Sequence, residues 1–147
     1  MTDLADFRRI AAAGSFLCIV TTARADGSVQ ASLVNAGVMA RPDAGGEVVA
    51  FVAGGGTRKL EHLRARPRAT VVARAGWEWA AVEGTVELVG PDDPAAGIDA
   101  ERLRVLLREV FVAAGGTHDD WDGYDAAMAS ERRVVVMVHP ERVYSNG

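Results

Sequence analysis

The sequence predicts an antiparallel β-barrel of the mainly β, α+β class, with helices packed on the outside of the barrel. Two observations carry that expectation. The chain reads as about six strands and three or four helices, and most of the strands are joined by turns instead of helices. Turn-joined strands become antiparallel neighbours, whereas a doubly wound parallel sheet needs a crossover helix between each pair. A third observation is size: 147 residues is close to the commonest length of one domain, so residues 1–147 are expected to share a single core.

The elements follow in order. Leu4, Phe7 and Ala11 fall on one helical face. Arg8 and Arg9 ahead of the apolar run from Ile10 to Val20, with Ala23, Arg24 and Ala25 after it, imitate a secretory signal. Asp3 and Asp6 precede the arginines and Gly14 and Ser15 interrupt the run, so the segment reads as a short helix followed by a buried strand. Ser15 to Thr22 is that strand, Asp26-Gly27 has the chemistry of a tight hairpin turn, and Ser28 to Met39 is the partner. Arg41 to Gly46 forms a second turn before the apolar strand Glu47 to Ala53.

Gly54, Gly55 and Gly56 lead into a short helix from Thr57 to Arg66, with Thr57 as N-cap, Leu60 and Leu63 on one face and Pro67 as the stop. Arg68 to Ala75 and Trp77 to Val89 are strands, and Gly84 suggests a bulge in the second. After the loop Pro91 to Ile98, Leu103, Leu106, Leu107, Val110 and Phe111 mark the clearest helix, closed by Gly115-Gly116. A further helix begins at Thr117, where Thr117 and Asp120 offer a capping arrangement and Trp121, Tyr124 and Met128 share a face. Arg133 to Val138 is the last strand, extended past Pro140 to Tyr144.

Composition removes several function classes. With 49% hydrophobic and 24% charged residues the chain is not disordered. Sixteen Lys plus Arg against twenty Asp plus Glu give a net charge of −4, which argues against a surface that wraps nucleic acid. No window approaches the roughly 18 to 20 apolar residues of a membrane-spanning helix. The one cysteine, Cys18, cannot close an internal disulfide. A reducing, cytoplasmic location is therefore expected, with neither membrane nor nucleic acid as partner.

Of the sixteen cationic side chains only one is a lysine, Lys59. It lies in Gly54-Gly55-Gly56-Thr57-Arg58-Lys59, between an apolar strand and a helix, where free backbone N–H groups and the helix dipole favour an anion. The run is neither a Walker loop nor a dinucleotide fingerprint. It reads as a phosphate site or, more plainly, as a flexible turn ahead of a solvated helix. Trp77 and Trp79 stand two apart, and on a strand both indoles would project from one face, to stack on a planar ring or to fill a core or interface. Cys18 reads as buried packing. His62, His118 and His139 show no metal-ligand spacing, and Ser32 lacks a nucleophile elbow. No acid and base pair stands out, which suits an enzyme whose chemistry comes from a cofactor.

At these residues the chain resembles the flavin and deazaflavin oxidoreductase superfamily, whose fold is the split β-barrel shared with pyridoxamine 5′-phosphate oxidase. It is most similar to the actinobacterial branch that uses coenzyme F420. The likeness spans almost the whole chain and is carried by Ala25-Asp26-Gly27 with SLVNAG at 32–37, RKLEHLRARPR at 58–68, Gly76-Trp77-Glu78-Trp79 with VEG at 82–84, DDWDGY at 119–124, Glu131-Arg132-Arg133 and Arg142-Val143-Tyr144.

The resemblance implies a homodimer with the cofactor ring in a groove at the interface. Ser32, Val34 and Asn35, with Val52 and Ala53, would hold the ring. Thr57, Arg58, Lys59 and His62 would meet the phosphate, although relatives often carry Asn at the position of His62. Trp77 and Trp79 would border the ring or the partner chain, and Arg132 would face the acidic tail of the deazaflavin. It implies an F420-dependent reductase that passes a hydride to a small electron-poor acceptor, with no catalytic acid or nucleophile from the protein. An FMN-dependent oxidoreductase on the same barrel is the alternative, and a non-catalytic cofactor- or ligand-binding protein is the third reading.

Overall fold

The computed structural model describes residues 1–146; Gly147, the last residue of the expected domain, lies outside the described residues. In chain order the elements are α1 (Leu4–Ala13), β1 (Leu17–Ala23), β2 (Val29–Ala40), β3 (Glu47–Ala53), α2 (Arg58–Ala65), β4 (Arg68–Ala75), β5 (Glu78–Val89), α3 (Ala100–Ala113), α4 (Trp121–Ser130), β6 (Val134–Val138) and β7 (Arg142–Ser145). The strands pair in the order β4-β1-β2-β3-β6-β5, and β4 pairs back onto β5. That pairing closes a six-stranded antiparallel barrel, and β7 adds to the outer edge of β5.

The two 12-residue strands make the barrel split. The first half of β2 pairs with β1 and its second half with β3. Likewise β5 pairs with β4 over Glu78–Thr85 and with β6 over Val86–Val89. Each long strand therefore passes from one sheet to the other.

Two apolar layers follow from strand alternation. Inside the barrel lie Val20, Val34, Phe51, Val71, Val82 and Val136, with Phe7 and Ile10 of α1 and Leu60 and Leu63 of α2 packed into the same cluster. The outward face of the second sheet, including Val48, Ala50, Val135 and Met137, is covered by Leu106, Leu107 and Val110 of α3 and Tyr124 of α4. α1 has a complete capping box between Asp3 and Asp6, and Asp99 caps α3 through Arg102 N, both satisfying amides that the first helical turn leaves free.

The structure departs from the sequence reading at several boundaries. β1 begins at Leu17 because Ser15 and Phe16 both take left-handed backbone, at φ 59° and 60°. β5 begins at Glu78: Gly76, at φ 62°, and Trp77 are the two-residue turn between Ala75 and Glu78. Trp77 therefore does not share a strand face with Trp79. No bulge occurs at Gly84, since the register runs unbroken from Arg68↔Thr85 to Ala75↔Glu78. Gly84 is needed for a different reason: a Cβ there would lie 1.8 Å from the His139 carbonyl oxygen. α4 starts at Trp121 with Asp120 as its cap, bonded to Gly123 N at 3.0 Å, while Thr117 lies in the preceding loop. The final strand breaks at Pro140 into β6 and β7, which pair with different halves of β5.

Candidate functional site: an anion cradle at the end of β3

β3 and β6 run antiparallel and in register to Ala53↔Val134. This pairing brings the glycine segment that follows β3 against the segment that precedes β6. Gly55 N donates to the Glu131 carbonyl at 3.1 Å. A Cβ on Gly55 would meet the Arg132 carbonyl oxygen at 2.7 Å, so the two backbones approach as only glycine allows. Arg132 is itself left-handed at φ 49°. A cleft of about 630 Å³ runs beside Gly54, Gly55, Gly56, Asp92 and Glu131.

The Arg133 guanidinium flanks Gly54, its Cζ 3.8 Å from where a Cβ would stand, and the Thr57 side chain is at 3.6 Å from the same point. Arg133 Nε and Thr57 Oγ1 are both buried without a hydrogen-bond partner among the described residues. Thr57 occupies the N-cap position of α2, yet its side chain makes no cap bond. Two orphan polar atoms side by side are expensive unless a ligand or water satisfies them. Burial and the nearby Arg133 charge hold the Lys59 pKa below its ordinary value. Arg58 is exposed at the first position of the helix. Two mutually repelling cations, a free hydroxyl and a glycine strand-to-helix junction form an arrangement that an anion would stabilise.

The other expected site residues are distributed around the barrel. His62 sits on α2 with Nδ1 2.9 Å from Thr22 Oγ1, which leaves Nε2 as the ring's other polar atom. Arg132 lies beside the glycines and pairs with Asp92 at 2.6 Å. Val34 is buried in the barrel interior, and Ser32, opposite Val20, projects inward as well. Asn35 faces outward, its amide 3.4 Å from the Ser15 and Phe16 carbonyls. Val52 packs under the α3 and α4 layer. Trp79 packs edge-on against Tyr144, with ring centroids 6.1 Å apart, and Trp77 is 94% exposed at its hairpin tip.

Trp77 and Lys59 lie at opposite ends of the first sheet. The β4–β5 tip is tied to α1 by Arg9 and Glu78 at 3.0 Å, whereas α2 packs at the Thr22 end. The eight residues of β4, about 23 Å of strand, run from the end of α2 to that tip.

Arg133 is the member of the cradle that sequence reasoning did not single out by role. Its signal was present in Glu131-Arg132-Arg133, but the partner glycines are far away in sequence. Cys18 is buried, and burial pushes its thiol up to about 11, which fits packing and not nucleophilic chemistry. Among the described residues no helix is long and apolar enough to cross a membrane.

The fold has solved counterparts. A conserved protein from Mycobacterium tuberculosis aligns over 99% of this chain and 84% of its own at 19% identity, with a TM-score of 0.69. An F420 reductase aligns over 88% and 90% at 19% identity and TM-score 0.59. A pyridoxamine 5′-phosphate oxidase-related, FMN-binding protein from Nostoc punctiforme aligns over 99% and 86% at 9% identity and TM-score 0.61. At these identities the likeness establishes the split-barrel fold. At the level of the sequence family, residues 7–147 match pyridoxamine 5′-phosphate oxidase. The chain belongs to the pyridoxamine 5′-phosphate oxidase family, and its fold is one on which both F420- and FMN-binding proteins are built.

Proposed function

We propose that the protein is an F420-dependent oxidoreductase that works as a homodimer and reduces a small electron-poor acceptor. The observation that carries this reading is the anion cradle, where Thr57 Oγ1 and Arg133 Nε lack partners beside Lys59. A cofactor phosphate supplies the acceptor oxygens that both orphan atoms need. When bound, the reduced deazaflavin would supply a hydride to the acceptor.

The chain's own residues bind and orient. Lys59 and Arg133 neutralise the phosphate, Thr57 donates its hydroxyl, and the Gly54–Gly56 backbone lets the phosphate approach closely. Arg132 stands next to the cleft, placed to meet an acidic tail if it exchanges Asp92 for it. Trp77 and Trp79 border the ring from the partner chain. That assignment explains why an indole 94% exposed stands at a hairpin tip with almost no contacts in its own chain.

The dimer is supported by the outward face of the first sheet. Leu17, Ile19 and Leu33 are 47%, 42% and 60% exposed, and Ile19 and Leu33 are direct cross-strand neighbours. Such an apolar patch is the kind of surface that a second copy of the chain would cover.

The F420 reductase among the structures of this fold favours F420, and the FMN-binding neighbour makes FMN the competitor. A paired titration with F420 and FMN, followed by tryptophan fluorescence, separates them. Saturable quenching by F420 at micromolar concentration is expected. Quenching by FMN alone, or a yellow protein as purified, would replace F420 by FMN. Tight binding with no turnover across a broad acceptor screen would make the protein a cofactor carrier.

A further inference from the structure

The cations around the cradle are not equally free. No carboxylate pairs with Lys59 among the described residues, and the neighbouring charge that acts on it is that of Arg133. Arg132 differs, because it already holds a carboxylate. Asp92 accepts from Arg132 Nε at 3.0 Å and from Arg132 Nη2 at 2.6 Å, the two-bonded geometry that makes an arginine–carboxylate pair specific. Both partners are about half exposed, and both line the cleft together with Gly54, Gly55 and Gly56. The pair therefore stands beside the space into which a phosphate in the cradle would extend the rest of its molecule.

Asp92 is held in place by its neighbour. Asp93 N donates to the Gly90 carbonyl at 3.0 Å and Gly90 N to the Asp93 carbonyl at 3.0 Å, which closes a tight turn. The Asp93 carboxylate, 13% exposed, accepts from Arg64 Nε at 2.9 Å and Nη2 at 2.7 Å. Arg64 lies on α2, the helix that carries Lys59, so the loop after β5 is anchored to the cradle itself. The Arg132 backbone is fixed as well: its N donates to the Ala129 carbonyl at 3.2 Å, and its carbonyl abuts Gly55. The fold has thus already ordered both ends of the pair, whereas a ligand carboxylate would have to be ordered on binding.

We propose that Asp92 is a specificity-determining residue of the anion site. It fills Arg132 as a built-in carboxylate, so the site rewards one anionic group, the phosphate on Lys59, and gains little from a second one further along the ligand. The inference rests on the phosphate reading of the cradle. An acidic tail must displace Asp92 and then lie beside the carboxylate it has released. That exchange trades one half-exposed ion pair for another and is close to neutral.

Titration of the full chain with F420 and with deazaflavin 5′-phosphate, which has the ring and a phosphate but no acidic tail, tests the assignment. Asp92→Asn should tighten F420 binding about three- to fivefold and leave deazaflavin 5′-phosphate unchanged. In an Arg132→Gln background the same Asp92→Asn change should lose most of that effect, which separates release of Arg132 from a general loss of negative charge. The proposal is overturned if Asp92→Asn leaves the ratio of the two affinities as it is in the parent, or if it tightens F420 as strongly without Arg132. In both of those cases deazaflavin 5′-phosphate still binds and the cradle stands. If the parent binds neither ligand, the phosphate reading fails and this inference falls with it.

Discussion

At the residue scale the chemistry concentrates on Lys59. Its pKa is lowered by burial first and by the Arg133 charge second, so a bound phosphate relieves the strain on the charged form. Lys59→Ala is expected to weaken F420 binding by about 1 to 3 kcal/mol, read from the dissociation constant. Because the anion raises the Lys59 pKa again, binding takes up protons in alkaline solution. Affinity should therefore fall as pH rises toward the ordinary lysine value, and Lys59→Met should remove that part of the dependence.

Cys18 gives a second expectation at this scale. Burial disfavours the thiolate and raises the Cys18 thiol from 9.0, its ordinary value, to about 11 in the folded chain. Between those values the unfolded state has lost a proton that the folded state keeps, so stability falls as pH rises. The loss should reach about 1 kcal/mol between pH 8.5 and 10. Urea unfolding of the parent and of Cys18→Val at both pH values checks it: the variant should lack the slope.

At the scale of elements, two close contacts set the architecture. Glu141 N donates to the Glu83 carbonyl and His139 N to the Thr85 carbonyl, so the β6–β7 corner wraps directly over Gly84. With 1.8 Å available for a Cβ, Gly84→Ala must displace the corner, and a stability loss of about 3 kcal/mol is expected in denaturant unfolding. α4 is tied to α3 by Asp125, which accepts from Arg108 at 2.9 and 2.5 Å and from Arg104 at 3.0 Å. These bonds hold the Asp125 carboxyl below its usual range, Arg108 contributing most. Asp125→Ala should cost about 1 to 2 kcal/mol and increase amide exchange in α4.

The sequence made most of these elements legible, because hydrophobic period and turn chemistry are local signals. It misplaced those whose limits are set by distant backbone. Gly84 looks like a bulge from within its own strand; the unbroken β4–β5 register shows otherwise, and the His139 carbonyl is what requires the glycine. Trp77 fits a strand pattern, yet a two-residue turn with positive φ at Gly76 takes it out of the sheet.

At the scale of the whole molecule, the outward apolar face of β1 and β2 and the exposed Trp77 both bear on the proposed homodimer. Leu33→Glu places a charge at the centre of that face and should shift the protein from twice 15.5 kDa to 15.5 kDa in light scattering. If each site draws on two chains, F420 affinity should fall with the dimer. A monomeric parent protein would instead remove the partner-chain role of the tryptophans.

The sequence by itself determined most of the strand and helix inventory and the glycine-led strand-to-helix junction ending in the single lysine, because these are encoded between near neighbours. Only the tertiary structure decided that Arg133 completes the cradle. The β3–β6 register sets Ala53 opposite Val134 and so places Arg133 against Gly54. Barrel closure through β4 and β5 was likewise decided by packing. The physical reason is the same in both cases: cross-strand neighbours are chosen by burying apolar faces together, and that choice leaves no mark in the local sequence.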